Sequence, residues 1–282
     1  MQVFESVAEL RKQVLSWKMQ GFTVGFVPTM GNLHAGHLSL VSLLQGQCDK
    51  VVVSIFVNPT QFGPNEDFDR YPRTFQADQQ QLASANADAI FLPSVEEMYP
   101  HGVLQTVVSV PHRLTGLLEG ASRPGHFDGV STVVAKLFNM VQPDLAVFGQ
   151  KDYQQLRVIQ TMVDELAIPV TVVAAPISRA EDGLALSSRN QYLSVEQRAI
   201  APKLNRVLLD IAQALKSGNR NFEALTSVGT QRLLLEGFDG VDYIRICDPH
   251  TLLDPTPNQS KFVILAVASL GNTRLLDNIL LN

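Results

Sequence analysis

The sequence predicts an α/β chain, a doubly wound parallel sheet followed by a smaller α+β domain. Three observations predict it. Short β-branched runs alternate with helical stretches as far as Pro176, the strand runs are continuously apolar, and the rhythm changes beyond that proline. Strands that alternate with helices pair in parallel through crossovers, and strands apolar on both faces are covered by helices on both faces. Ligands of such sheets sit at the carboxyl ends of the strands.

The elements follow in order. Ser6 with Glu9 makes a capping box ahead of a helical pattern through Val7, Leu10, Val14 and Trp17, and Gly21 offers a left-handed stop. Strands are expected at 23–27, 51–57, 89–92, 145–148 and 170–174, alternating with helices at 38–47, 74–86, 130–141 and 153–166. Beyond Pro176 come a polar loop ISRAEDGLALSSRN and a long helix opened by the capping box Ser194 to Gln197. A helix near 222–235 and β-rich runs at 241–247 and 262–269 complete the chain. The 282 residues exceed one typical core, so two domains are expected, 1–177 and 178–282.

Composition narrows the function classes. The chain is 45% hydrophobic and carries 22 Lys and Arg against 27 Asp and Glu, a net charge of −5. No basic stripe is present to neutralise a nucleic-acid backbone, so no nucleic-acid partner is expected. No apolar run approaches the roughly 18 residues of a membrane span, and the N-terminus carries acids early, unlike a signal peptide. Cys48 and Cys247 lie in apolar surroundings and read as buried thiols of a reducing compartment, which places the chain in the cytoplasm.

Four stretches carry chemistry. In FVPTMGNLHAGH a strand ends near Pro28 and Thr29, Gly31 permits a tight turn, and a helix begins close to His37. Two imidazoles and the free N–H groups of a helix start then converge, which is an anion site by geometry. Gly36 lets a nucleotide approach the backbone. The string HxGH is expected only about 0.008 times by chance at this composition. The bland alternative is a histidine pair that caps a helix. SIFVNPTQF puts Asn58 and Gln61 at another strand end, where neutral amides could orient a small polar ligand or simply form a turn.

LAVFGQKDYQQL again reads strand, glycine, helix. Lys151 sits where a point charge meets a phosphate, Asp152 could accept from a ribose or hold a cation, and Gln155 falls one turn on, on the face of Lys151. A solvated Lys–Asp pair at a helix cap is the alternative. LALSSRN supplies two hydroxyls beside Arg189, a small phosphate clamp or an ordinary solvated loop. RPGHFDGV, with Arg123, His126 and Asp128, reads as a polar surface turn before a helix.

HxGH after a first strand, with a later Ser-Ser-Arg loop, resembles the nucleotidyl-transfer superfamily of class I aminoacyl-tRNA synthetases and small adenylyltransferases, whose fold is Rossmann-like. The ordered set PTMGNLHAGH, FVNPTQF, RPGHF, GQKDYQQL and LALSSRNQYL resembles the pantothenate synthetase family over about Val24 to Leu193. The resemblance implies ATP-dependent ligation of pantoate and β-alanine through a pantoyl-adenylate, releasing AMP and pyrophosphate. It also implies Mg²⁺ and a homodimer, with 1–177 binding ATP and pantoate and 178–282 acting as a lid. By position it assigns ATP to Met30, Gly31, Asn32, Leu33, His34, Ala35, Gly36, His37, Gly149, Gln150, Lys151, Asp152, Leu186, Ser187, Ser188 and Arg189. His37, His34 and Lys151 are the implied catalytic set, His37 as proton donor to the leaving pyrophosphate. Gln61 and Gln155 are implied to hold pantoate, and Asn58 to orient the adenylate. Two positions depart from the family pattern, Gln150 where Glu is common and Asp128 where a basic residue is common.

Two other readings share these motifs. One is an adenylyltransferase that moves AMP onto a phosphate; the other is a nucleotide sensor without turnover, which has no reason to place two glutamines for a second substrate.

Overall fold

The computed structural model describes residues 1–63, 68–103, 106–256 and 258–282. The chain divides into two compact units, Met1–Gln150 with Gln154–Pro176, and Lys151–Tyr153 with Ile177–Asn282.

The first unit holds β1 (Gln2–Phe4), α1 (Val7–Met19), β2 (Val24–Thr29), α2 (Ala35–Gln45), β3 (Lys50–Ile55), α3 (Phe75–Ser84) and β4 (Ala89–Phe91). Short helices α4 (Val95–Met98), α5 (His112–Thr115) and α6 (Leu118–Ser122) follow. Then come α7 (His126–Val141), β5 (Leu145–Gly149), α8 (Tyr153–Glu165), whose first residue groups with the second unit, and β6 (Thr171–Ala175). The six strands order β1-β4-β3-β2-β5-β6 and every pair is parallel. From β2 the chain steps outward through β3 and β4, then returns to add β5 and β6 on the other side. The strand order therefore reverses between β2 and β5, and that switch point is where open α/β sheets bind ligands. One core layer packs Val27, Val53 and Ile90 of the strands against Val41, Leu44 and Leu82 of α2 and α3.

Aspartates fix the strand starts. Asp144 accepts from the Val24 amide at 2.8 Å and pairs with Lys18 at 2.9 Å, and Asp88 accepts from the Val51 amide at 2.9 Å. Because a one-residue slip would send every side chain to the wrong face, these anchors keep the carboxyl ends in register.

The second unit holds α9 (Val195–Ile200), α10 (Lys203–Lys216), α11 (Phe222–Leu235), β7 (Gly240–Cys247), β8 (Phe262–Leu270) and β9 (Thr273–Leu281). Its sheet is antiparallel in the order β7-β8-β9. Leu204, Leu208, Ile211 and Leu215 form one stripe of α10 and meet Phe262, Ile264, Ala266 and Ala268, the alternate residues of β8.

The differences from the sequence expectation have local causes. The helix expected to run on from Ser194 breaks at Ala201, because the following Pro202 has no N–H to continue the hydrogen-bond ladder. The capping box itself forms. Helix α2 starts at Ala35, three residues before the expected Leu38, since His34 serves as its cap. The strands β1 and β9 had no counterpart in the sequence reading, and neither did the helices α4, α5 and α6. Cys48 and Cys247 are free thiols, half-buried and buried respectively.

Candidate active site

The β2–α2 connection is built from backbone polarity. The Thr29 hydroxyl donates to the Ser54 carbonyl at 2.7 Å and accepts from the Gly31 amide at 3.1 Å. Gly31 has φ +79°, which favours glycine, and a Cβ there would press on Ile55 at 3.0 Å and Asp78 at 3.1 Å. Asp78, 1% exposed, accepts from the Asn32 amide at 2.9 Å, the Leu33 amide at 2.8 Å and the Thr74 hydroxyl at 3.2 Å. A carboxylate buried this deeply persists because N–H and O–H donors surround it.

That loop delivers the two histidines. His34 caps α2: its Nδ1 accepts from the Gly36 amide at 3.1 Å, while His37 Nδ1 accepts from the His34 amide at 3.4 Å. The ring centroids are 4.1 Å apart. The histidine pair that caps a helix is thus present. A neutral imidazole that accepts at Nδ1 carries its proton at Nε2, so capping and donation to an anion use different ring atoms.

Asn58 and Gln61 frame the single-turn helix Pro59–Gln61. The Asn58 side chain is 1% exposed: its oxygen accepts from Tyr99 Oη at 2.8 Å and Thr60 Oγ1 at 3.0 Å, and its nitrogen donates to Gln61 Oε1 at 3.2 Å and the Gly129 carbonyl at 3.3 Å. These four bonds fix the Asn58 side chain within the loop. Gln61 is half-buried and its amide nitrogen donates to Met30 Sδ at 2.9 Å, so Met30 and Gln61 are neighbours.

The RPGHF island is no free surface turn. His126 Nδ1 donates to the Gln61 carbonyl at 2.8 Å, and Arg123 donates to the same carbonyl at 3.2 Å. Arg123 also donates to His126 Nε2 at 3.1 Å, which fixes the imidazole tautomer. Gly129 of α7 lies so close that a Cβ would sit 2.3 Å from the Thr60 carbonyl.

At the end of β5, Gly149 leads into the single turn Gln150–Asp152. Gln154 is buried and structural, accepting from the Glu119 amide at 3.1 Å and donating to the Leu114 and Leu117 carbonyls at 2.9 and 2.8 Å. Gln155 beside it is half-buried. Lys151 lies in the turn Gln150–Asp152 that runs directly into α8, and Gln155 lies in the first turn of that helix.

Within the second unit, Lys151 is half-buried and Asp152 exposed. Ser187 Oγ accepts from the Arg189 amide at 3.3 Å and caps the turn Ser188–Tyr192. The Leu186 amide donates to the Ser178 carbonyl at 2.9 Å, and Arg179 holds Asp277 with two bonds of 2.7 and 2.8 Å. Lys151, Ser187, Asn190, Arg274 and Asp277 line one small cavity of this unit.

Of the expected residues, Met30 to His37, Asn58, Gln61, Gly149, Gln150 and Gln155 lie in the first unit, and Lys151, Asp152 and Leu186 to Arg189 in the second. The sequence reading missed Asp78, Arg123 and His126 as supports. Asp78 had a signal: an acid on the face of α3 that also carries Leu82 four residues on, where an apolar residue is the norm. Among the described residues no group of three or more His, Cys, Asp or Glu is placed to hold a metal ion. Among them, too, no helix is long and apolar enough to cross a membrane.

The family model for pantoate-beta-alanine ligase matches residues 2–280. A pantothenate synthetase of Hydrogenovibrio crunogenus is 58% identical over the whole of both chains, and that of Stutzerimonas stutzeri is 56% identical over all of this chain and 98% of its own. The crystal structure of pantothenate synthetase from Thermus thermophilus superposes with a TM-score of 0.92 at 46% identity, covering 99% of each chain. That of pantoate-beta-alanine ligase from Francisella tularensis, complexed with beta-gamma ATP and beta-alanine, gives 0.83 at 34% identity, covering 99% of this chain and 97% of its own.

Proposed function

The chain belongs to the pantoate-beta-alanine ligase family, and from that premise we propose that it joins pantoate to β-alanine, cleaving ATP to AMP and pyrophosphate through a pantoyl-adenylate. The observation that carries this reading is the reciprocal capping of α2 by His34 and His37 at the carboxyl end of β2. It ties both Nδ1 atoms to backbone amides and leaves the exchangeable proton of each neutral ring on Nε2.

The first half-reaction sets an anion against a polyanion. Pantoate's carboxylate is ionised at neutral pH, since such groups titrate near 4, so no base is needed to make the nucleophile. The obstacle is charge repulsion, and catalysis consists of positioning and preorganised donors. His34 and His37 donate hydrogen bonds from Nε2 to phosphate oxygens, and that of His37 stabilises the charge that gathers on the departing pyrophosphate. Lys151 neutralises phosphate charge, Ser187, Ser188 and Arg189 gather the outer phosphates, and Gly149 and Asp152 hold the ribose. Gln61 and Gln155 hold pantoate by uncharged hydrogen bonds. Asn58 acts through Gln61, whose Oε1 it touches.

Mg²⁺ bound to ATP would supply further neutralisation of the phosphates, and Asp152, exposed beside Lys151, is a carboxylate that would face such a cation. The enzyme is a cytoplasmic homodimer in this reading, with 1–177 as the substrate-binding domain and 178–282 as a lid that keeps water from the adenylate. The test is incubation with ATP, Mg²⁺, pantoate and β-alanine, with products identified by mass spectrometry. Pantothenate and AMP in equal amounts are expected, and ADP in place of AMP refutes the reading.

A further inference from the structure

Lys151 groups with the second unit although β5, the strand that leads into its turn, belongs to the first. Two hydrogen bonds within that unit anchor the segment: Asn278 Nδ2 donates to the Lys151 carbonyl at 2.9 Å, and Tyr153 Oη donates to the Pro249 carbonyl at 3.0 Å. Asn278 lies in β9 and is 3% exposed. An amide buried there is costly unless it is bonded, and a leucine of similar size would pack at that place without such a demand. Its neighbour Asp277, also 3% exposed, pairs with Arg179 in the segment that leads to Ser187, and the backbone amide of Asn278 donates to Asp277 at 2.7 Å. Adjacent residues of one strand therefore hold two elements, Lys151 and the approach to the Ser187–Arg189 turn.

We propose that Asn278 is a positioning residue for Lys151: its side-chain amide fixes the backbone from which the lysine ammonium meets the ATP phosphates. A lysine has four rotatable side-chain bonds, so only a fixed backbone narrows where its ammonium can reach. The inference rests on the reading of Lys151 given above.

The test is a double-mutant cycle on pantoate-dependent exchange of labelled pyrophosphate into ATP, using Asn278→Leu, Lys151→Ala and the pair. Asn278→Leu is expected to lower the exchange rate at saturating pantoate about tenfold or more, leave KM for pantoate within twofold, and keep a cooperative thermal transition. In the Lys151→Ala background it is expected to change the rate less than twofold, because the ammonium to be placed is gone. Equal losses in both backgrounds, or wild-type exchange by Asn278→Leu, overturn the proposal. Should Asn278→Leu not fold, Asn278→Ser, too short to reach the Lys151 carbonyl, takes its place in the same cycle with the same expected outcomes. If Lys151→Ala alone exchanges at the wild-type rate, the role of Lys151 fails and this inference with it. If Lys151→Ala is slow and Asn278 variants are not, only the inference falls.

Discussion

Two loops of the first unit leave neighbouring strands and are held by opposite chemistry. Asn32 and Leu33 turn their N–H groups inward to one buried carboxylate, Asp78. The Pro59–Gln61 turn offers a carbonyl, and two donors, His126 and Arg123, share it. The first arrangement concentrates most of the holding on a single buried group, with the Thr29 hydroxyl taking only the Gly31 amide. The second is redundant and half-buried, so either donor, or water, can stand in for the other. The loop that presents the two histidines is fixed mainly by one buried carboxylate, whereas the one that carries Gln61 rests on several weaker contacts.

That contrast breaks most visibly at Asp78. Asp78→Ala strands two backbone amides and the Thr74 hydroxyl in the interior, at about 1–3 kcal/mol for each unsatisfied group. The expected loss is about 3 kcal/mol or more, a fall of roughly 6–12 °C in Tm for a chain of this size. Pyrophosphate exchange should fall with it even well below Tm, since His34 loses its supporting loop. Wild-type exchange in a folded Asp78→Ala would show that the loop holds itself.

His126→Ala should cost less and act elsewhere. Arg123 still reaches the Gln61 carbonyl, so the stability change is expected near 1 kcal/mol, while KM for pantoate rises about tenfold and KM for ATP stays within twofold. Steady-state kinetics with each substrate varied separates the two. Equal rises in both KM values would remove the distinction between the loops.

Local chemistry was legible in the sequence and its distant supports were not, for reasons visible at particular residues. The Ser6 and Ser194 caps, the strand-glycine-helix junctions and the HAGH string are local patterns, legible within a few residues. Asp78, His126 and Asn278 act on residues 45, 65 and 127 positions away, and no local pattern reports such pairings. The strand β9 was hidden by its own function: Asp277 and Asn278 interrupt the apolar run TRLLDNILL at the places where they are buried to hold Arg179 and Lys151. The strand β1, three residues long, falls below the length at which alternation can be read.

The smallest expected effect concerns Cys247, far in sequence from any of these residues except those of β9. Burial pushes its thiol up from the usual 9.0 to about 11. Because the folded state favours the neutral thiol, this contribution to stability is complete below pH 9 and lost as pH rises toward 11. Chemical denaturation of wild type and Cys247→Ala should show parallel stabilities up to about pH 9 and converge above it. Rapid alkylation of native protein at neutral pH would contradict the buried, protonated state.

The chemistry itself is tested most directly by following one atom. Pantoate labelled with ¹⁸O in its carboxylate is turned over with ATP and β-alanine, and the nucleotide product is weighed. Attack of the carboxylate on the α-phosphorus followed by amide formation leaves one carboxylate oxygen on phosphorus, so AMP carrying a single ¹⁸O is expected. Unlabelled AMP, or label appearing in inorganic phosphate beside ADP, would contradict the pantoyl-adenylate.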